Sequence, residues 1–202
     1  MRIVDKTLGF WARKVLHLLL NGSIAIAALL ISPDWIKPLT VVGFIAVLVF
    51  ESARLKTKAR RFVHEAVGPL FKREESLEYS GMFWIAVGAL IVALFAEPLA
   101  YSYGFAVLAI ADFAAAAVGR SWKSPRYYRN KTVAGALACF CFAAATTAAF
   151  IILSELPFPI LPAMILMGGI VTILETFSHP FDDNFLILVS SSFIMSVALS
   201  LF

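Results

Sequence analysis

Seven apolar runs constrain this chain more than any other feature of its sequence, and they cover residues 15–31, 39–50, 82–95, 99–118, 133–153, 160–177 and 185–202. A helix that spans a bilayer needs roughly 20 apolar residues, so seven such helices would use about 140 positions. The chain has 202 residues, of which 61% are hydrophobic and 15% charged. A soluble domain has about 45–50% apolar and about 25% charged residues. We therefore predict an integral membrane protein.

Proline positions and the hydrogen-bonding needs of the backbone predict how the runs fold. Helix-breaking prolines stand where the helices are expected to end: Pro33 and Pro38 follow the first run, Pro98 follows the third, and Pro157, Pro159 and Pro162 lie at the boundary between the fifth run and the sixth. Because the hydrocarbon core offers no water to unpaired backbone groups, each run must be a helix. The predicted fold class is all-α: a polytopic integral membrane helix bundle of about seven transmembrane helices. Residues 1–202 would form a single membrane-embedded domain.

Basic residues are distributed asymmetrically between the polar segments. Sixteen of the 17 Lys and Arg residues lie before the first run, between the second and third, or between the fourth and fifth. Seven helices place these segments on one side of the membrane and Lys37 on the other. Since cytoplasmic loops carry the excess of Lys and Arg, we predict a multi-pass protein with a cytoplasmic N-terminus, in the inner membrane if the source is prokaryotic. The net charge of +4 then reflects topology, and no nucleic-acid partner is expected.

One polar segment, at about 56–80, is amphipathic. Apolar residues such as Leu70 and Phe71 are interleaved there with basic ones such as Lys72 and Arg73. A helix of this kind lies in the headgroup plane of the cytoplasmic leaflet. Attachment to anionic lipid and direct contact with a ligand are both open interpretations of this segment.

Ionisable residues at membrane depth are costly, and by default they mark functional sites. The candidates are His17, Glu51, Asp112 and Glu175, near the cytoplasmic ends of their runs, with Asp182, Asp183 and Asn184 on the same side. Carboxylate and amide oxygens suit Mg²⁺, and Lys and Arg pair with phosphate. The mixture predicts a site for a nucleoside triphosphate and Mg²⁺ at the cytoplasmic membrane surface. Two alternatives are helix-end residues without a ligand and a small cation-coupled transporter that uses Asp112 and Glu175.

Four blocks of residues occur in order along most of the chain. The first is Arg13-Lys14-Val15-Leu16-His17, and the second contains Glu51, Arg54, Gly68, Arg73, Glu75, Gly81 and Gly88. The third contains Ala111-Asp112, Gly119-Arg120, Lys131-Thr132, Gly135 and Phe140, and the fourth is Glu175 followed by Phe181-Asp182-Asp183-Asn184. Together they resemble the membrane family of CTP-dependent lipid kinases, which includes dolichol, phytol and yeast-type diacylglycerol kinases. That family is related to the phosphatidate cytidylyltransferases.

The resemblance implies a catalytic domain that transfers the γ-phosphoryl group of CTP to the hydroxyl of a membrane lipid alcohol and releases CDP. The acceptor would be a polyprenol or dolichol, a phytol-type prenol, or diacylglycerol. Asp112 and Asp183 would hold Mg²⁺, or one of them would act as the base, and Asp182 and Glu175 would complete the acidic set. Lys131 and Arg120 would bind the triphosphate. Weaker nucleotide-binding candidates are Arg13, Lys14, His17, Thr132 and Asn184. Asn184 could instead hold the metal or cap the last helix.

The third block also has a physical interpretation. Gly119-Arg120 would form a flexible turn after the helix that carries Asp112, and Lys131 would stand at the N-terminus of the next helix. The helix dipole and free N–H groups there would favour a phosphate. In the second block, Glu51 and Arg54 would either orient the substrate or pair within their helix.

Two departures from the family pattern bear on the activity. Ser121-Trp122-Lys123-Ser124 stands where family members often carry a Gly-Lys pair. The cytidylyltransferase branch has a Lys-Asp start and a His-Gly-Gly stretch, whereas Asp112 follows Ala111 and no His-Gly-Gly occurs. A kinase is therefore preferred, and a cytidylyltransferase that makes a CDP-lipid is the alternative. The expected partners are CTP, the lipid alcohol and the lipid bilayer, and alanines at 114–117 and 143–145 would permit a homo-oligomer.

Overall fold

A computed structural model describes residues 3–56, 79–178 and 182–201 of the chain. Within these ranges it has seven helices: α1 Ile3–Leu30, α2 Pro33–Lys56, α3 Gly81–Phe95, α4 Pro98–Ser121, α5 Val133–Leu153, α6 Ile160–Thr176 and α7 Asp183–Leu201. A two-stranded antiparallel hairpin, β1 Arg126–Tyr128 and β2 Lys131–Thr132, joins α4 to α5. The predicted amphipathic segment falls almost wholly in 57–78, outside the described residues.

The helices confirm the predicted all-α membrane bundle. Five of those described, α1, α2, α4, α5 and α7, are long and apolar enough to cross a membrane. The other two, α3 and α6, have 15 and 17 residues. At 1.5 Å per residue they are about 22 and 26 Å long, a little less than the roughly 30 Å of a hydrocarbon core. Which side of the membrane each terminus faces stays a prediction.

Helix ends differ from the predicted boundaries where polar residues or prolines are involved. Pro33 begins α2 and Pro98 begins α4, the first helical position that proline tolerates well. Pro38 lies inside α2, so its prediction as a breaker was wrong. Helix α1 starts at Ile3, well before the apolar run, because hydropathy marks only the part of a helix that faces lipid or core.

Helix α4 lies at the centre of the bundle. It packs against α1, α5 and α7, while α6 packs on α5 and α7, and α3 joins α2 to α7. Buried hydroxyls reinforce these contacts: Tyr103 and Thr147 hydrogen-bond at 2.8 Å between α4 and α5, and Ser102 donates to the Ala25 carbonyl of α1 at 2.7 Å. Such bonds contribute to helix association in lipid, where the apolar surroundings give no hydrophobic driving force.

Two glycines of the third block allow α4 and α5 to approach closely. A Cβ at Gly135 would lie 3.0 Å from the Ala115 carbonyl oxygen and 3.3 Å from the Cα of Gly119. A Cβ at Gly119 would lie 3.0 Å from the Thr132 hydroxyl. The glycines therefore fix the distance between the two helices that carry the third block.

We expect Gly135→Ala to lower the thermal stability of the purified protein. Overpacking costs about 1–3 kcal/mol, which exceeds the helix-propensity gain of about 1 kcal/mol from replacing glycine with alanine. Gly22→Ala is the matched control, because a Cβ there meets nothing within 4 Å. Thermal unfolding in detergent compares the two, and equal melting temperatures would argue against a tight crossing at Gly135.

Candidate active site

A cavity of about 670 Å³ lies at the end of the bundle where α4 and α6 end and α5 and α7 begin. Its basic lining residues are Arg13, Lys14, Arg120, Arg126, Arg129 and Lys131. Its acidic lining residues are Asp112, Glu175 and Asp183. The excess of basic groups gives the described lining a formal charge of +3. A cavity of this size and charge suits a multiply charged anion.

Asp112 is the most buried acid of this cavity, with 4% of its surface exposed. The Lys14 ammonium donates to both of its carboxylate oxygens at 2.8 Å. Nδ1 of His17 lies 3.4 Å from Asp112 Oδ2, an ion pair when the imidazole is protonated. The first and third sequence blocks therefore meet at this carboxylate.

Lys131 connects the hairpin to the last two helices. Its ammonium donates to Glu175 Oε1 at 2.5 Å and lies 3.4 Å from Asp183 Oδ2. Burial alone would lower the pKa of Lys131, but the carboxylates of Asp183 and Glu175 outweigh it and raise that pKa above its ordinary value. Lys131 is therefore a fixed positive charge at neutral pH.

Two predictions about the third block were wrong in detail. Gly119 and Arg120 lie in the last turn of α4, which continues to Ser121, and do not form a turn after it. The first N–H groups of α5 are not free: those of Val133 and Ala134 donate to Pro125 O and Ser124 Oγ. The segment before the helix folds back over its N-terminus and supplies these acceptors.

The hydroxyl of Thr132 has a capping role in addition to its place in the cavity wall. Thr132 is the N-cap of α5, and its Oγ1 accepts from the N–H of Gly135 at 3.2 Å. This bond satisfies a third N–H at the start of the helix. A phosphate at this end would therefore be bound mainly by side chains.

The structure adds three residues that the sequence did not single out as ligands. Arg126 and Arg129 reach the cavity from the hairpin, and Arg129 adopts the left-handed conformation, with φ of 46°, in its turn. Phe10 lines the cavity too, and the guanidinium of Arg120 lies 4.3 Å from its ring centre. Each hairpin strand has three residues or fewer, too short for a periodic pattern to reveal it.

Glu51 and Arg54 lie outside this cavity, in a second buried cluster with Ser80. Arg54 donates to the Glu51 carboxylate at 2.6 and 3.3 Å, and the Ser80 hydroxyl donates to it at 2.7 Å. The predicted pair within α2 therefore forms, and it connects the end of α2 to the start of α3. A role for the pair in orienting substrate stays a prediction.

Asp182 and Asn184 hydrogen-bond to each other. Oδ1 of Asp182 accepts from the Asn184 backbone N–H at 3.0 Å and from its side-chain amide at 2.8 Å. Asp182 therefore caps α7, so the alternative that gave this role to Asn184 was wrong. Residues 179–181, which include Phe181, lie outside the described part of the chain.

The carboxylates of the cavity fit a magnesium ion by their chemistry. Asp112, Glu175 and Asp183 offer hard oxygen ligands within one cavity. Among the described residues, no three His, Cys, Asp or Glu side chains are grouped closely enough to hold a metal alone. Mg²⁺ usually takes one or two protein carboxylates and completes its shell with water and substrate phosphates. The arrangement is therefore compatible with metal that arrives with a nucleotide.

Comparison with known proteins gives three relatives with one name, CTP-dependent diacylglycerol kinase 1. The chain is 31% identical to the protein of Schizosaccharomyces pombe over 137 residues, 63% of this chain and 61% of the relative. It is 31% identical to that of Eremothecium gossypii over 113 residues, 54% and 36% of the two chains. It is 26% identical to that of Saccharomyces cerevisiae over 184 residues, 80% and 63% of the two chains.

These similarities support membership of the CTP-dependent lipid kinase family. The name that these relatives share agrees with the resemblance seen in the four sequence blocks. The chain spans less than two thirds of the length of each of these relatives. No protein-family model matches the chain, and no solved structure matches it significantly.

Proposed function

We propose that this chain is a CTP-dependent lipid kinase, which transfers the γ-phosphoryl group of CTP to the hydroxyl of a membrane lipid. The observation that carries the proposal is the cavity in which six basic side chains surround three carboxylates. Phosphoryl transfer depends mainly on positioning and on neutralising charge, which such a set of residues can supply. The names of the three relatives supply the preference for CTP and for a kinase over a cytidylyltransferase.

The acids of the cavity differ in exposure, which suggests separate roles for them. The Asp112 side chain is 5% exposed and that of Asp183 is 22% exposed. We assign the deeper Asp112 to the lipid hydroxyl and the more accessible Asp183, with Glu175, to the metal–nucleotide side. In the reaction the hydroxyl oxygen bonds to the γ-phosphorus while its proton passes to Asp112. The bond from that phosphorus to the β,γ-bridging oxygen breaks, and CDP leaves.

The basic residues would hold the triphosphate in position for this transfer. Arg126 and Arg129 approach from the hairpin, Arg120 from the end of α4, and Lys131 from beside the acids. Guanidinium groups bind phosphate oxygens in pairs, which fixes orientation as well as charge. When bound by Asp183 and Glu175, Mg²⁺ would neutralise charge that develops on the phosphate oxygens.

Diacylglycerol is the acceptor we propose first, because the three relatives are named for it. Polyprenols and phytol-type prenols are the other acceptors that the family resemblance of the sequence blocks implies. We place the cavity on the cytoplasmic face, because the basic segments that the positive-inside rule assigns to that side also supply its lining. The described chain would then act as one membrane-embedded catalytic domain.

The decisive experiment uses CTP labelled separately at the α and γ phosphates. Purified protein in detergent is supplied with Mg²⁺ and with a panel of diacylglycerol, prenols and their phosphorylated forms. We expect γ label in the lipid and release of CDP, and we expect EDTA to stop both. Transfer of α label with release of pyrophosphate would identify a cytidylyltransferase instead. Absence of turnover with every acceptor would reject the kinase.

A further inference from the structure

A second cavity, of about 460 Å³, lies within the membrane-spanning part of the bundle. It runs along the boundary between the α2–α3 pair and the helices α1 and α4. Helix α1 packs on α4 and α2 packs on α3, while in the described ranges α1 and α2 do not pack closely on each other. Leu20 and Leu39, which are 46% and 53% exposed, stand at its edge. The cavity is therefore a groove that opens towards the lipid, and we call it the α1–α2 groove.

The walls of the α1–α2 groove present almost pure hydrocarbon. Of the described residues that line it, Thr40 and Tyr101 alone carry polar side-chain atoms. The Thr40 hydroxyl donates to the Ile36 carbonyl at 2.7 Å and accepts from the Tyr101 hydroxyl at 3.0 Å. Since these hydroxyls are already paired, the groove offers an occupant only apolar contact. An alkyl or prenyl chain suits that surface, and a charged or polar group does not.

The α1–α2 groove begins close to the charged cavity. On α1, Lys14 lines the cavity and Leu20 lines the groove, six residues or about 9 Å further along the helix. On α4, Asp112 lines the cavity and Phe105 lines the groove, about 10 Å away in the same direction. His17 lies between the two on α1 and faces Asp112. A molecule with its reactive group at Asp112 could therefore place a chain in the groove.

We propose that the α1–α2 groove binds the hydrocarbon chain of the lipid acceptor. The proposal rests on the proposed kinase activity for the identity of the lipid. The groove gives no hydrophobic gain over the bilayer, because the chain is already surrounded by hydrocarbon. Its contribution is to orient the lipid so that the hydroxyl stands at Asp112, and small errors of position reduce transfer strongly.

Gly43 offers a way to fill the α1–α2 groove without disturbing the protein. It lines the groove, and a Cβ there meets nothing within 4 Å. We expect Gly43→Phe to lower kcat/KM for a long-chain acceptor by about tenfold or more. The KM for CTP should stay within about twofold of the wild-type value, and turnover of an acceptor with six-carbon chains, which fill less of the groove, should fall much less than turnover of the long-chain acceptor. The matched control is Gly169→Phe on α6, which also points into open space but lies outside the groove.

Equal loss of activity with long-chain and short-chain acceptors, or no loss with either, would overturn the assignment of the α1–α2 groove.

A binding test examines the α1–α2 groove separately from the kinase activity. If the wild-type protein turned over no acceptor, the proposed kinase activity would be rejected, but binding of a lipid in the groove could still be tested. For that test, a diacylglycerol with a diazirine in its chain is photolysed in lipid nanodiscs. Labelling of Ile24 and Phe44 in the groove should fall when unlabelled diacylglycerol is added, whereas labelling of exposed Leu161 on α6 should not. Equal competition by phosphatidylcholine, which lacks a free hydroxyl, would make the occupant a structural lipid and contradict the proposal.

Discussion

Replacing Lys131 with alanine should abolish measurable transfer of phosphate to lipid. We expect a loss of at least about 10²–10³-fold, because removing one preorganised group that stabilises charge in the transition state has an effect of this size. Its ammonium is held by Glu175 and Asp183 and lines the proposed triphosphate site. Without it, two carboxylates would face the phosphates with less compensation. We therefore expect the KM for CTP to rise as kcat falls, and steady-state kinetics with labelled CTP measures both.

Loss of activity through misfolding must be separated from loss of function. Removal of Lys131 leaves the buried Glu175 without its partner, and an uncompensated buried charge costs about 3–5 kcal/mol. The double variant Lys131→Ala with Glu175→Gln removes that charge, so it should recover stability but not activity. Lys123→Ala, at an exposed position outside the cavity, is the matched control and should keep its activity. Near-wild-type turnover in the folded Lys131 variant would refute the assignment of the cavity.

The sequence predicted the parts of this fold that depend on hydrophobicity and on charge at membrane depth. Apolar runs predicted the helices because the bilayer leaves the backbone no other way to pair its groups. Asp112 and Glu175 stood out because charge near hydrocarbon is costly, and Lys131 stood out through the family resemblance of the third block. The structure places all three around one cavity. These residues could be predicted to lie on one side of the membrane because successive helices cross it in opposite directions.

Features that depend on local hydrogen bonding could not be predicted in the same way. The N-terminus of α5 was predicted to offer free N–H groups to a phosphate. Instead, Pro125 and Ser124 accept hydrogen bonds from these groups because the chain folds back there. Pro38 sits in the second turn of α2 although proline disfavours helix interiors. Asp182 caps α7 because the backbone N–H and the side-chain amide of Asn184, two residues further on, both donate to its carboxylate, a detail of geometry that composition does not reveal.

Asp112→Asn should also abolish phosphoryl transfer, by at least about 10²–10⁴-fold, the usual contribution of a positioned acid or base. The amide keeps the size of the side chain but cannot accept the proton of the lipid hydroxyl. Because the substitution removes a negative charge from the cavity, CTP binding should be unchanged or tighter. This separates Asp112 from Lys131, whose loss weakens CTP binding. The separation is measured by the rise in melting temperature that CTP produces in each variant, which reports binding without turnover.

The Asp112 variant needs its own control, because Lys14 loses the carboxylate that binds it at two oxygens. In the double variant Lys14→Gln with Asp112→Asn neither charge remains, so stability should return while transfer stays absent. Asp34→Asn, in the exposed first turn of α2, makes the same chemical change outside the cavity and should leave turnover intact. If folded Asp112→Asn protein bound CTP and still phosphorylated lipid, the base would have to be another group. If it neither bound CTP nor turned over, Asp112 would belong to the nucleotide side, and our division of the cavity between lipid and nucleotide would be wrong.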